Sequence, residues 1–307
     1  MPSSESLGFH QLHRLGRTNL LWVLLGVLVL GSLVAVGAQL VLLPVFVIAS
    51  ALGVSIETDP VSPAGLAWVN LVWAVAIPFA FLIARVVHRI PRGWVTSVAG
   101  RVRWRWFVTC LGLAAAALTV TVVVAAYLPR QETAPVGGTL NDVTSETAAF
   151  MVVVVLLTPL QAAGEEYVFR GYLTQAFGGL VAGRLGILLA VVVPAVVFAL
   201  AHGAQDPPVF VDRLAFGLVA GVLVIVTGGL EAAVAMHVLN NWLAFALALA
   251  FGDMNSALHP TSSGWATLPT TLVQSLTFVA LTVWVARRRG LGTRTGEPVL
   301  EPPNGRV

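Results

Sequence analysis

Residues 20–54 read LLWVLLGVLVLGSLVAVGAQLVLLPVFVIASALGV, without one charged side chain. About 20 apolar residues suffice for a helix to cross a hydrocarbon core of about 30 Å. Lipid offers the backbone no hydrogen-bond partners, so such a run must satisfy its own amides as a helix. The run is also far longer than the apolar core of a cleavable signal, about 7–15 residues, and reads as a retained first span. Working outward, similar runs recur near 64–87, 106–128, 147–175, 183–203, 213–228, 230–251 and 266–286. The chain of 307 residues is 57% hydrophobic and 10% charged, against about 25% charged in a soluble domain. The fold class is therefore all-α: a polytopic transmembrane bundle of about eight spans, in contact with a lipid bilayer. Residues 1–18 form a polar N-terminal tail, 19–289 the bundle with a candidate core at 145–250, and 290–307 a polar tail expected to be disordered.

The charges set an orientation. Net charge is +3 and all 17 basic residues are Arg. One alternate set of segments holds Arg14 and Arg17, Arg85 through Arg105, Arg184, and Arg287, Arg288 and Arg289. The other holds Arg130 and Arg213, with Glu57, Asp59, Glu132, Asp142, Asp206, Asp212 and Asp253. The positive-inside rule places the first set, and both termini, in the cytoplasm. Residues 88–105 read as an interfacial loop with Arg at lipid phosphates and Trp at headgroup level. Basic residues scattered through short loops do not make a nucleic-acid patch. One cysteine, Cys110, excludes a disulfide framework and a thiolate zinc site. Pro44, Pro78, Pro159 and Pro194 lie inside spans, where proline kinks a helix.

Ionisable groups inside hydrocarbon cost about 2.5–3.5 kcal/mol each on insertion scales, so they mark function. Among the acidic residues, Glu165 and Glu166 lie well inside a span, TPLQAAGEEYVFRGYLTQAF (158–177); Glu231 sits at a turn. Glu166 and Arg170 share a helix face at i, i+4 and can pair. Glu165 is turned about 100° away, without an obvious local partner, and an unpaired buried carboxylate is suited to take a proton from water. The fifth span ends VVFALAHGAQ (196–205), with Phe198 and His202 on one face. The seventh contains MHVLNNWLAF (236–245), with His237 and Asn241 likewise. His10, His13, His88 and His259 lie in polar segments and read as surface histidines. With a 1.5 Å rise per residue, His202 lies about 30 Å along its helix and Glu165 about 20 Å along its own; bringing them level requires tilt.

Glu165-Glu166-x-x-x-Arg170, Phe198-x-x-x-His202 and His237-x-x-x-Asn241, in that order, resemble the motif set of the CPBP intramembrane proteases. That family includes type II CAAX prenyl endopeptidases and bacterial bacteriocin-immunity and Abi proteins. The resemblance covers residues 145–250 and implies an eight-helix bundle with a cavity open to the cytosol. It implies that Glu165 is the general base and His202 its partner in activating water. His237 and Asn241 would stabilise the oxyanion, and Glu166 and Arg170 would hold the site's shape. No cofactor is favoured; the alternative is a zinc shell of Glu165, His202 and His237 with water in the fourth place. Asn beside His suits an oxyanion hole better than a zinc shell.

The expected function is hydrolysis of a peptide bond within a peptide or membrane-protein substrate. The rivals are a proton-coupled transporter, since intramembrane Glu, His and Arg also make proton relays, and an idle scaffold on the same fold. Against transport, no paired broken segments recur in two halves. The all-Arg basic set points to a GC-rich bacterium and its plasma membrane, where a prenylated substrate is not expected.

Overall fold

The computed structural model describes residues 6–127, 139–203, 206–259, 265, 268–297 and 299. Those residues form helices and turns, with isolated bridges and no strand. Among the described residues, eight helices are long and apolar enough to cross a membrane: Leu20–Ala51, Pro63–Val86, Trp104–Val124, Ser145–Leu180, Gly183–Ala201, Pro207–Thr227, Glu231–Phe251 and Leu268–Arg288. The chain is an integral, multi-pass membrane protein. Leu20, Leu24, Leu28, Leu40 and Val47 stand exposed on the first span, as lipid-facing side chains do.

Two local signals moved the expected boundaries. The Asp206 side chain accepts from the Val209 amide, and Pro207 opens the first turn, where its missing N–H costs nothing. The sixth span therefore begins at Pro207, not near 213, and Asp212 and Arg213 lie on a helix and not in a loop. The fourth span breaks at Leu157 and restarts at Thr158 with Pro159 in its first turn. It then widens into a π-helix over Tyr167–Leu173, directly after the two glutamates; such turns are frequent at functional sites.

The loops gather at two ends. At one, the Arg17 amide donates to the His88 carbonyl, Val98 to Gly228, Leu230 to Thr96, and Thr295 to Leu7. Arg103, expected among the interfacial arginines, is instead 3% exposed. Its Nε and Nη2 donate to Glu231 Oε1 and Oε2 at 2.9 and 2.7 Å, and its Nη1 donates to the carbonyls of Thr227 and Gly292. A planar fork suits a buried carboxylate because it fills both oxygens at once. Residues 290–297, expected to be disordered, thus fold back onto the bundle. At the other end, Asn255 Oδ1 accepts from the Val61 amide, and Asn141 donates to the Leu249 and Gly252 carbonyls. Arg130 and Glu132 lie outside the described residues.

His10, His13 and His88 are buried, not on the surface. The short helix Phe9–Leu15 tucks under the bundle, stacking His13 on His88 at 4.2 Å. His88 Nδ1 lies 2.6 Å from the Arg17 carbonyl and Nε2 lies 2.8 Å from the Tyr172 hydroxyl. A carbonyl only accepts, so Nδ1 carries the hydrogen and Nε2 accepts from tyrosine. Burial pushes His13 well below its ordinary value of 6.5, and His88 adds to the effect; burial also lowers His10 and His88. The unfolded chain takes up protons near pH 6.5 where the folded chain resists them, so these groups favour folding fully above that pH. Their stabilisation is lost as pH falls further. A thermal midpoint measured in detergent should therefore drop between pH 7.5 and 5, with a shallower drop in His13→Phe.

Candidate functional site

A cavity of about 260 Å³ lies between the middle of the bundle and the end carrying Val61 and Asn141. Its floor is the fourth span, which touches the second backbone to backbone. A Cβ on Gly164 would sit 1.9 Å from the Trp73 carbonyl oxygen, so only glycine permits this approach next to Glu165.

Glu165 has a local partner after all: Gln161, one turn earlier, donates its amide Nε2 to Glu165 Oε1. The other oxygen, Oε2, has no hydrogen bond among the described residues and stands 3.7 Å from His237 Nε2. His237 Nδ1 lies 2.8 Å from Glu166 Oε1, which also accepts from Arg170 Nη1 at 3.0 Å. The two consecutive glutamates thus meet opposite nitrogens of one imidazole. Glu166, paired with a guanidinium, only accepts, so the His237 hydrogen sits on Nδ1 and Nε2 turns to Glu165 and the cavity.

His202, expected beside Glu165, lies beyond ion-pair distance of it. It ends the fifth span and is exposed at the mouth of the same cavity. Its Nδ1 donates to the Phe198 carbonyl at 2.8 Å, which leaves Nε2 to the cavity. The awkward depth is thereby explained: Glu165 and His237 form the bottom of the cavity and His202 its rim. Asn241 Nδ2 donates to Gln161 Oε1 at 3.1 Å, so Gln161 ties Asn241 to Glu165. The second amide hydrogen of Asn241, which also lines the cavity, stays available. Phe198 is buried, edge-on to His202 and 4.2 Å below the Arg170 guanidinium; it supports both.

Gln161, Arg213, Phe216 and Asn70 also line the cavity and were missed in the sequence. Gln161 was findable, since i and i+4 share a face with Glu165. Arg213 stands on the sixth span, which begins before the apolar run that hydropathy detects. His259, on the segment after the seventh span, is exposed but at the cavity rim. No group of three or more His, Cys, Asp or Glu among the described residues is gathered closely enough to hold a metal ion.

Residues 144–243, which contain all three motifs, match the sequence model of the family described as type II CAAX prenyl endopeptidase Rce1-like. The chain is also 26% identical over 179 residues to the uncharacterized protein YyaK of Bacillus subtilis (strain 168), covering 56% of this chain and 57% of that protein. The aligned part thus spans little more than half of that relative. No solved structure matches the chain. The matched segment runs from the start of the fourth span into the seventh, and the second span closes the cavity from outside it through Asn70 and Trp73.

The cavity opens towards one end of the bundle. Every segment at its mouth, including His202, the start of the sixth span and His259, belongs to the end opposite the arginine-bearing loops. An arginine-rich end in the cytoplasm and a cavity open to the cytosol cannot both hold.

Proposed function

We propose that the chain is an intramembrane endopeptidase that hydrolyses peptide bonds with a glutamate-activated water. The observation that carries this is Glu165, which lines a polar cavity with its Oε2 free of hydrogen bonds among the described residues and beside an imidazole oriented by a second carboxylate. Water bound between Glu165 Oε2 and the Nε2 atoms of His237 and His202 gives up a proton to Glu165 as its oxygen attacks the scissile carbonyl. General-base help of this kind contributes about 10²–10⁴-fold. The free amide hydrogen of Asn241 meets the developing oxyanion, a contact worth about 2.7–4 kcal/mol in a site shielded from water. Glu165 then passes the proton to the leaving amine, which departs as the carbon–nitrogen bond breaks, and a free carboxylate and amine remain. Glu166 and Arg170 touch no substrate; they hold His237 in its tautomer.

The reading keeps Glu165 as base and Asn241 at the oxyanion. It makes His237 the nearer partner of Glu165 and moves His202 to the rim. Gln161 is a positioning residue in this scheme. Gln161→Leu should lower kcat about a hundredfold, the usual penalty of a misplaced reacting group, with KM nearly unchanged.

The direct test uses purified protein in lipid nanodiscs, with a peptide library whose products are read by mass spectrometry. Cleavage that persists in a strong chelator supports the scheme, and cleavage abolished by the chelator and restored by zinc overturns its metal-free form. No cleavage of any library member by well-folded protein would reject the protease reading.

A further inference from the structure

The two ends of the bundle differ in charge, and the cavity opens at only one. Arg14, Arg17, Arg89, Arg92, Arg101 and Arg184 belong to segments at the end where residues 6–18, 88–103 and 290–297 are laced together. Glu57, Asp59, Asp142, Asp206 and Asp253 belong to the other end. Arginine in short loops is retained in the cytoplasm during insertion, while acidic residues have little influence. The first end is therefore the cytoplasmic one.

The path to Glu165 runs from the acidic end. Asn70 and Trp73 lie within about three turns of the second span's start at that end, and His202, Arg213 and His259 surround the opening. Towards the arginine end a separate pocket of about 180 Å³ reaches Ala163 and Tyr167 of the fourth span, but it shares no lining residue with the cavity. Tyr167, Phe169, Arg170, Tyr172 and Leu173 are all buried, and beyond them the Arg103–Glu231 pair closes the turn between the sixth and seventh spans.

We propose that the cavity faces the extracytoplasmic side, and that its substrates are exported or membrane-anchored polypeptides whose scissile segment is presented there. A cytoplasmic chain would have to thread through the packed helix interior to reach Glu165. The substrate class rests on the protease reading above; the direction of the opening does not.

Two measurements separate the claims. In intact cells, the full-length protein carrying Ser55→Cys at the cavity end should react with a membrane-impermeant maleimide. The same protein carrying Arg92→Cys should react only after permeabilisation. Both positions are exposed, and native Cys110 is buried. The reverse pattern overturns the proposal. In the second measurement, one peptide library is tethered to a membrane anchor on either the outer or the cytoplasmic side. Cleavage of the outer display by wild type, at least tenfold above Glu165→Gln, supports the proposal; cleavage confined to the cytoplasmic display overturns it. Cleavage of neither display, with maleimide labelling as expected, rejects the protease reading and leaves the direction of the opening standing.

Discussion

Glu165→Gln should lower peptide hydrolysis by about 10²–10⁴-fold, the usual contribution of a positioned base, with little change in folding. The substitution keeps the side chain's shape, and its amide oxygen still accepts from Gln161, so the hydrogen bond at Oε1 survives. The lost group is Oε2, the proposed proton acceptor, which has no hydrogen bond among the described residues. Because the lost interaction belongs to the transition state, kcat and kcat/KM should fall together. Steady-state kinetics on a cleaved library peptide, with a thermal midpoint on the same sample, separates chemistry from misfolding. Wild-type rates in the variant would remove the proposed base.

Arg170→Ala should cost stability as well as activity. The guanidinium is fully buried, pairs with Glu166 and stacks over Phe198. Removing it leaves the Glu166 carboxylate buried without its cation, and stranding one partner of a buried pair costs about 3–5 kcal/mol. The same change frees Glu166 from its fixed position, so His237 loses the acceptor that sets its tautomer. Arg170→Met combined with Glu166→Gln removes both charges and should recover much of the thermal midpoint without recovering hydrolysis. Denaturation in detergent, compared across wild type, single and double variants, reads the difference. An Arg170→Ala protein as stable as wild type would show that the pair contributes nothing to the fold.

Span number and type were legible because a bilayer leaves the backbone one economical solution, and apolar length reports it directly. The boundary errors followed from capping. The Asp206 cap and the prolines after it start a helix six residues before hydropathy rises, which placed Arg213 in a loop. The histidines at 10, 13 and 88 were misread for a different reason. Their segments are locally polar, and only the fold-back of the N-terminal helix beneath the fourth span buries them. Arg103 was misread likewise: its partner Glu231 is 128 residues away, and no local pattern reports such a pair.

Periodicity named helices and faces that meet at one cavity, and Glu166 pairs with Arg170 because the two stand on neighbouring turns of one helix. Contacts between helices were beyond periodicity. That His237 stands between both glutamates, that His202 is at the rim, and that Gln161 links Asn241 to Glu165 all depend on where four spans cross. So does the end at which the cavity opens. The amino-acid sequence by itself determined a lipid-embedded helical bundle, its charge asymmetry and its stock of polar groups, since hydrophobic length and helical period are local properties. Tertiary structure alone decided which nitrogen meets which carboxylate and at which end of the bundle the cavity opens. Those depend on helix crossings and backbone contacts, such as Gly164 against Trp73, between residues far apart in the chain.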